Sequence, residues 1–414
     1  MPAKTTSKTK PPLDTPAVVV GLDPTGLGVV RSLVPRCRRV IALESNQAEL
    51  GCRTALCEVR AVADLSDHEA LFRALVGIAR DAGCRPVLFL TADAHALWAC
   101  ENTDQLRPHV LFSLPDAATC RTLMFKEKFS DLAREKGYPI PRTVFLKAGG
   151  LAAEAKRAGL SFPIIVKPSN RAGSWDQAKL SKAYILETDR QARAFEDRLA
   201  GVVDAVVVQE YMGGGDESIR FCLYYADENL AEPVTFCGRK LLQWPPSRGS
   251  TAVCEPIDDP ALAAYTTRFF QDLGVLGFCS LEVKDVAGSG GREFRIIEPT
   301  IGRPDLQSAL ASENGVNMPL ISYLSLIGRA DEAAHYARTR TAPRLWINEP
   351  YLMNLAVRRQ ITAALLLKIA ASPKGYLLSR RDDPAVMAAY VREKLRGFVS
   401  RLGDGDRRGA PTWP

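Results

Sequence analysis

The 414-residue chain is long enough for two or three domains, and 46% hydrophobic with 24% charged residues is typical of a soluble globular protein with a sizeable core. Lys and Arg total 54 against 47 Asp and Glu; the resulting net charge of +7 suits an anionic small-molecule ligand and gives no argument for nucleic acid. Ten scattered cysteines without a CxxC pair, and only four histidines, argue against zinc and favour the reducing cytoplasm.

The first segment, residues 1–16, has the basic and Pro/Thr/Lys-rich sequence MPAKTTSKTKPPLDTP. It lacks the apolar core of a signal peptide and is predicted to be a disordered lead-in. The best candidate for a membrane span, ITAALLLKIAA from Ile361, is too short and contains Lys368. A buried or amphipathic helix is expected there instead, and no membrane partner.

Residues 17–120 alternate strand and helix patterns. The apolar runs AVVVGL, RRVIALE and RPVLFLT predict strands, and DHEALFRALVGIARDAG has apolar residues at helical spacing. This β-α-β order predicts a small parallel sheet and therefore an α/β domain.

Residues 121–330 mix the two element types less regularly. A helix in MFKEKFSDLAREKG is followed by strands in FPIIVKPS, AVVVQEYM, SIRFCLYY, FCSLEVKDV and EFRIIEP, with helices between some of them. Residues 331–414 show mostly helical patterns and finish on RLGDGDRRGAPTWP, which is predicted to be disordered. We therefore expect an α+β domain followed by a helical C-terminal segment.

The last two predicted strands flank the glycine-rich turn AGSGG. If they form a hairpin centred on Gly290, Ile296 lies opposite Lys284 and Glu298 lies opposite Glu282. Directly opposed carboxylates repel each other unless a cation lies between them, and oxygen ligands favour Mg²⁺ or Mn²⁺, which usually binds with phosphate. The alternative is a register shifted by a residue or two, which would leave both acids solvated.

A lysine ends another apolar strand. Lys167 closes FPIIVK and precedes the turn PSNRAGS, in which Gly173 and Ser174 can present backbone N–H groups to an anion. A phosphate site is one interpretation of this lysine. The other is a side chain that extends its amine to water.

Together these motifs resemble those of ATP-grasp ligases. MFKEKFSDLAREKGYPIP, FPIIVKPS, VVVQEYMGGGDES, GRKLLQWPP, SLEVKD and RIIEPTIGR occur in the order and spacing of that superfamily. The chain resembles the predicted carboxylate–amine ligases of that superfamily, the group that includes D-aspartate-ligase-like enzymes, over roughly residues 17–330. The resemblance implies an N-terminal parallel α/β (pre-ATP-grasp) lobe at 17–120, a two-lobed α+β ATP-grasp domain at 121–330 and the helical segment at 331–414.

The resemblance also implies how ATP is bound. Lys126 matches the first phosphate-contacting lysine, with Lys128 as an alternative, and Lys167 matches the second. The hinge between the lobes pairs its backbone with the adenine edge, while Val166 and Met212 enclose the ring. The hinge residues are Gln209, Glu210, Tyr211 and Met212.

Further roles follow from the same resemblance. Glu217 is expected to bind the ribose hydroxyls, with Asp216 as the alternative. Lys240, next to Arg239, matches the basic residue that reaches the terminal phosphates and assists catalysis. Cations around a triphosphate neutralise the charge that develops during phosphoryl transfer.

The metal motif of the family is an acid on one strand and Glu-x-Asn on the next. Glu282 and Glu298 match the acids, whereas Thr300 stands where the family has asparagine. As a metal ligand, Thr300 would offer a neutral oxygen, and the alternative is a water in its place. The arginine usually found two residues after the asparagine is also missing, and Arg303, three residues after Thr300, is the candidate for contacting an acyl phosphate.

The expected function is that of an ATP- and Mg²⁺-dependent ligase, which activates a small-molecule carboxylate as an acyl phosphate and joins it to a small-molecule amine. The loop SNRAGSWDQAK or the small lobe around it is expected to close over the nucleotide. Whether the chain forms a homo-oligomer, and which acid and amine it uses, are left open by the sequence.

Two alternatives belong to other classes. A non-catalytic ATP-binding protein of the same fold would keep the hinge and the lysines, and Thr300 is the residue that allows it. A nicotinamide-dependent oxidoreductase would use the glycines of GLDPTGLG together with Glu44, although their spacing is not that of a dinucleotide fingerprint.

Overall fold

The computed structural model describes residues 13–147, 150–168, 175, 180–181, 183–203, 205–288, 291–339 and 341–403. Within this part of the chain there are three β-sheets, with helices packed around them. None of the described helices has both the length and the apolar character that crossing a bilayer requires.

The first sheet is parallel, as predicted, and it orders its four strands β3-β2-β1-β4. The strands are β1 (Ala17–Val20), β2 (Val40–Glu44), β3 (Glu58–Ala61) and β4 (Val87–Leu90). Strands β1, β2 and β4 are buried along their length, whereas the polar edge strand β3 is partly exposed and has no apolar run that would predict it. The nearby helices are Pro24–Leu33, Leu50–Arg53 (3₁₀), His68–Ala82, Asp93–Glu101, Thr103–Leu106 and Ala117–Met124.

The second sheet is antiparallel and orders its four strands β5-β8-β6-β7. The strands are β5 (Thr143–Lys147), β6 (Ile164–Pro168), β7 (Tyr184–Leu186) and β8 (Ala205–Glu210). Helices Leu151–Arg157 and Asp189–Leu199 belong to the same cluster and cover the face on which Ile164 and Val166 are buried. The opposite face of the sheet is therefore available to a ligand.

The third sheet has seven strands in the order β13-β12-β9-β10-β11-β14-β15. They are β9 (Ile219–Ala226), β10 (Val234–Trp244), β11 (Ser250–Pro256), β12 (Gly277–Gly288), β13 (Gly291–Ile301), β14 (Leu345–Ile347) and β15 (Lys374–Tyr376). The remaining helices are Lys126–Lys136, Asp216–Ser218 (3₁₀), Pro260–Asp272, Ser308–Glu313, Met318–Leu326, Ala330–Arg338, Glu349–Val357, Ala363–Ala371 and Pro384–Gly403.

The C-terminal segment is mostly helical, as expected, but it also contributes β14 and β15 to the third sheet. Each of these strands has three residues, which is too short for an alternating pattern to show in the sequence. The segment is also joined to the N-terminal part of the chain by a buried ion pair, Arg31 with Asp383 at 2.7 Å.

The β12–β13 hairpin has Glu282 opposite Glu298, which confirms that predicted pair. Beyond it the predicted register is wrong by one residue, because Lys284 lies opposite Arg295 rather than Ile296. A β-bulge at Ile297 causes the shift, since Ile296 already pairs with Val283 and leaves Ile297 as the extra residue.

Candidate active site

The second and third sheets enclose a cleft of about 830 Å³, including its open mouth. Eight of the residues predicted to form the site line it, and they come from both sheets and from the start of one helix. These residues are Lys126, Lys167, Gln209, Glu210, Tyr211, Met212, Glu282 and Glu298. The fold therefore brings together predicted site residues that lie more than 150 positions apart in the sequence.

Lys126 lines the cleft from the first turn of helix Lys126–Lys136. Lys128, the alternative, does not line it, and its amine lies over the ring of Phe125, 5.8 Å from the ring centre. Residues two positions apart in a helix lie on different faces, so only one of the two lysines can face the cleft. The structure favours Lys126.

Strand β6 supplies Lys167 and Ile165, which share the cleft face because side chains alternate along a strand. Val166 points the other way and is fully buried in the core beneath the sheet. The expectation that Val166 encloses the adenine ring is therefore wrong. Ile165 is the apolar residue of this strand that lines the cleft.

The predicted hinge is held by a buried lysine of β12. Lys284 is 6% exposed, and its amine donates hydrogen bonds to the carbonyl oxygens of Met212 and of Gly213, the latter at 2.9 Å. The same amine lies 5.5 Å from the ring centre of Tyr211. Burial lowers the pKa of Lys284. The sequence placed Lys284 only in the predicted hairpin and gave no sign of its contact with the hinge.

The hinge also carries polar side chains whose partners are fixed. Gln209 donates from its amide nitrogen to the hydroxyl of Thr143 at 2.8 Å. Glu210 lies 3.6 Å from a guanidinium nitrogen of Arg295, on the opposite sheet. The contact of Glu210 with Arg295 joins the two walls of the cleft at its hinge.

The floor of the cleft holds the opposed carboxylates Glu282 and Glu298. The amine of Lys240, a buried residue, lies 2.5 Å from Oε1 of Glu282, and the amide nitrogen of Gln307 donates to the same oxygen at 3.4 Å. The two acids offer the oxygen ligands that Mg²⁺ prefers. In the described part of the chain no third His, Cys, Asp or Glu completes a metal-binding group, so a metal here needs further oxygens from a ligand.

The expected ribose-binding acids have other environments. Glu217 is exposed and does not line the cleft. Asp216 accepts three hydrogen bonds, from the backbone N–H groups of Gln243 and Ser247 at 2.7 and 2.9 Å and from the amide of Gln243 at 2.9 Å. Asp216 therefore supports the loop between β10 and β11, and contact of Glu217 with a ribose stays a prediction.

That loop contributes cleft residues that the sequence analysis missed. Gln243, Ser247, Arg248 and Gly249 all line the cleft. Ser247 has a positive φ of 66°, and a Cβ on Gly249 would lie 2.0 Å from the carbonyl carbon of Trp244. An arginine and a glycine after PP, in QWPPSRGS, were the signals available in the sequence.

Comparisons with known proteins identify the fold. No family model matches the chain. D-aspartate ligase of Enterococcus faecium is 22% identical over 314 residues, which make up 73% of this chain and 74% of the relative. The solved structure of N5-carboxyaminoimidazole synthetase from Staphylococcus aureus complexed with ADP superposes with a TM-score of 0.57 at 12% identity, covering 77% of this chain and 78% of that one. L-amino acid ligase from Bacillus licheniformis gives a TM-score of 0.57 at 11% identity, with 80% and 79% covered.

The chain has the ATP-grasp fold. Its predicted place in the ATP-grasp superfamily is confirmed by the sequence relative and the structural neighbours together. The cleft lies between the second and third sheets, and the predicted hinge residues Gln209–Met212 line it; their contact with a nucleotide stays a prediction.

Two predicted residues at the end of β13 lie away from the lining of the ATP-grasp cleft. The hydroxyl of Thr300 donates to Asp305 at 3.4 Å, and the same carboxylate accepts from Ser280 at 2.7 Å. Arg303 forms an ion pair with Asp93 at 2.5 Å. Burial alone would lower the pKa of Arg303, but the carboxylates of Asp93 and Asp305 outweigh it and raise the pKa. The roles proposed for Thr300 and Arg303 stay predictions.

The glycines and the acid that suggested a dinucleotide site have structural explanations. A Cβ on Gly26 would lie 2.0 Å from the carbonyl oxygen of Gly21, so the helix start packs against the preceding loop only with glycine. Glu44 is buried and accepts the backbone N–H groups of Leu22 at 2.7 Å and Asn46 at 2.8 Å. Nothing in this arrangement favours the oxidoreductase alternative.

Proposed function

We propose that the chain is an ATP- and Mg²⁺-dependent carboxylate–amine ligase. The observation that carries the proposal is the pair Glu282 and Glu298 on the floor of a cleft whose other wall presents Lys167, with Lys126 at the helix start. Paired acids for a divalent cation and lysines for phosphate are the parts that phosphoryl transfer needs.

The reaction proceeds in two steps. A carboxylate oxygen of the acid attacks the γ-phosphorus of ATP, so a new P–O bond forms as the bond to the β-phosphate oxygen breaks and ADP leaves. The amine then attacks the acyl carbon, phosphate leaves, the amine nitrogen loses a proton, and an amide remains. No side-chain nucleophile is required, because positioning and charge neutralisation lower the barrier.

The residues of the chain hold the reactants in this scheme. Lys126 and Lys167 neutralise the phosphates, and Lys240 approaches the terminal phosphates once Glu282 turns to the metal. Mg²⁺ on Glu282 and Glu298 supplies further positive charge against the phosphate oxygens when it is bound. The predicted closing loop falls outside the described residues except for Trp175, which is buried and donates to the carbonyl oxygen of Ser181 at 3.0 Å.

The substrates are proposed by class. The names D-aspartate ligase and L-amino acid ligase point to an amino acid as one of them. We place the reaction among small-molecule acids and amines in the cytoplasm, without a nucleic-acid or membrane partner.

The test is an ADP-release screen. The purified chain is incubated with ATP, Mg²⁺ and pairs drawn from D- and L-amino acids, short peptides and simple amines, and ADP is measured by a coupled assay. We expect release that requires one acid, one amine and Mg²⁺, with an amide product of the matching mass. Lys167→Ala should abolish it, whereas ATP that fails to bind at all would refute the proposal.

A non-catalytic ATP-binding protein remains the second candidate. It is favoured by one contact, the Lys240 amine on Glu282, because this ion pair competes with a metal for the carboxylate. Measured ATP binding without ADP release from any pair, together with ATP affinity that is insensitive to Mg²⁺, would select this candidate over the ligase.

A further inference from the structure

Arg248 is a cationic side chain of the cleft to which neither the sequence nor the family resemblance gave a role. It lies between Ser247 and Gly249 in the loop that joins β10 to β11, and it lines the cleft that Lys126 and Lys167 also line. Its Nε atom is buried and finds no hydrogen-bond acceptor among the described residues.

Other arginines with a buried, unbonded Nε have carboxylate partners. Arg36 is paired with Glu332, and Arg344 with Glu313 at 3.4 Å. Arg248 has no ion pair or hydrogen bond with any residue in the described part of the chain. The buried Nε–H of this half-buried side chain needs an acceptor in place of water, and an anion in the cleft would supply one.

The loop holds Arg248 in a fixed position. Asp216 accepts hydrogen bonds from the backbone N–H groups of Gln243 and Ser247, which precede the arginine in the chain. After the arginine, Gly249 packs so closely against the backbone of Trp244 that any side chain at position 249 would force the loop to move. A loop backbone held in this way loses little conformational freedom when the side chain that it carries binds a ligand.

Other basic groups near the cleft floor and hinge are occupied by protein. Lys240 contacts Glu282, Lys284 contacts two hinge carbonyls, and Arg295 contacts Glu210. Arg248 therefore differs from them in offering its whole guanidinium to a ligand.

We propose that Arg248 binds a phosphoryl oxygen of ATP beyond the α-phosphate. The planar guanidinium donates two parallel hydrogen bonds to phosphate more effectively than an ammonium group does. The same chemistry would bind the carboxylate of the acid substrate, and the experiment separates these two anions. The inference rests on the proposed function in one respect, that ATP occupies this cleft.

The experiment measures the affinity of ATP, ADP and AMP for the full chain and for Arg248→Met and Arg248→Lys, by calorimetry with Mg²⁺ present. Arg239→Met is the matched control, because Arg239 lies on β10 but contacts Glu255 at 2.6 Å and does not line the cleft. Glu255 keeps Lys368 as a partner at 2.7 Å in that control.

We expect Arg248→Met to weaken ATP binding by about 10- to 100-fold, the usual effect of losing hydrogen bonds to a charged group. Arg248→Lys should give a smaller loss, AMP affinity should stay within about twofold, and Arg239→Met should match the unaltered chain. If Arg248→Met does not fold, the lysine variant and the nucleotide series still decide the question.

Three results would overturn the inference. ATP affinity equal in the Arg248 variants and the unaltered chain would do so, and so would an equal loss for AMP and ATP. An unchanged ATP affinity with a raised KM for the acid alone would assign Arg248 to the substrate carboxylate instead. Failure of the unaltered chain to bind ATP would refute the proposed function itself.

Discussion

Replacing Lys284 by methionine tests whether this buried lysine shapes the nucleotide site. Its amine donates to the carbonyl oxygens of Met212 and Gly213 and lies beside the ring of Tyr211. Hydrogen bonds to a charged group contribute about 1.5–3 kcal/mol each when they are buried. The exposed Gly213 carbonyl can bind water instead, so we expect a loss of about 1–2 kcal/mol in nucleotide binding, or roughly 5- to 30-fold in Kd.

The assay is ATP binding together with steady-state ADP release. Lys284→Met should raise Kd and the KM for ATP by this factor and leave kcat within about threefold, because in the proposed function the hinge positions the base and takes no part in the chemistry. Lys374→Met is the control, since Lys374 also donates to two backbone carbonyls, those of Ile369 at 2.6 Å and Ala370 at 3.0 Å, away from the cleft.

The reasoning would be refuted if Lys284→Met and Lys374→Met changed ATP binding equally, or if Lys284→Met lowered kcat alone. A pH series adds an independent check. Burial lowers the pKa of Lys284 in the folded chain, whereas an unfolded lysine titrates near about 10.4. Between these two pKa values the unfolded chain binds more protons, so the free energy of unfolding of the unaltered chain should rise with pH relative to that of Lys284→Met.

Other predictions concern stability, the loop and the metal. Burial alone would raise the pKa of Asp259, but its bonds with Arg292 and Leu262 outweigh burial and lower it, so the carboxylate stabilises the fold above about pH 4 and loses this effect as pH falls. Arg292→Met should therefore cost about 1–2 kcal/mol in urea unfolding at pH 7, a value reduced for the partial exposure of Arg292, and the difference should shrink as the pH falls below about 4. Gly249→Ala should weaken ATP binding as strongly as loss of Arg248, because the loop must move, and calorimetry would show it. Glu298→Gln should raise the Mg²⁺ concentration for half-maximal ADP release at least about tenfold, measured by metal titration.

The features that the sequence predicted correctly are those with a short-range pattern. The buried strands of the parallel sheet are apolar runs, and the helix that begins at Lys126 ends at Gly137 with a positive φ of 72°, as a C-terminal glycine should. The pairing of Glu282 with Glu298 followed from a hairpin with a short glycine turn. The family resemblance supplied the roles that local patterns could not.

The features that the sequence missed depend on contacts between distant segments. Lys284 meets the hinge some 70 residues earlier, and Asp216 holds a loop about 30 residues later. Neither contact leaves a periodic signal. Val166 was assigned to the cleft although its neighbour Lys167 already had to face it, and the alternation of side chains along β6 excludes both.

The bulge in β13 explains how the floor of the cleft carries an apolar and an acidic side chain next to each other. In a regular strand, neighbouring residues face opposite sides of the sheet. Ile296 is buried in the core, as regular alternation requires, whereas Ile297 and Glu298 both line the cleft. The extra residue therefore adds an apolar surface to the cleft, which we interpret as a contact for the base, without moving Glu298 from its place opposite Glu282.

This interpretation predicts that deletion of Ile297 and the substitution Ile297→Ala have the same effect. With Ile297 deleted, Ile296 can stay opposite Val283 and Glu298 opposite Glu282 in unbroken alternation, so the metal pair survives and only the apolar side chain is lost. Ile297 is half-buried, and losing the part of its side chain that a bound base would cover costs about 1–2 kcal/mol. Both variants should therefore bind ATP about 5- to 30-fold more weakly while the Mg²⁺ dependence of ADP release is kept. A deletion that abolishes the Mg²⁺ response, beside an alanine variant that keeps it, would show instead that the bulge itself positions Glu298.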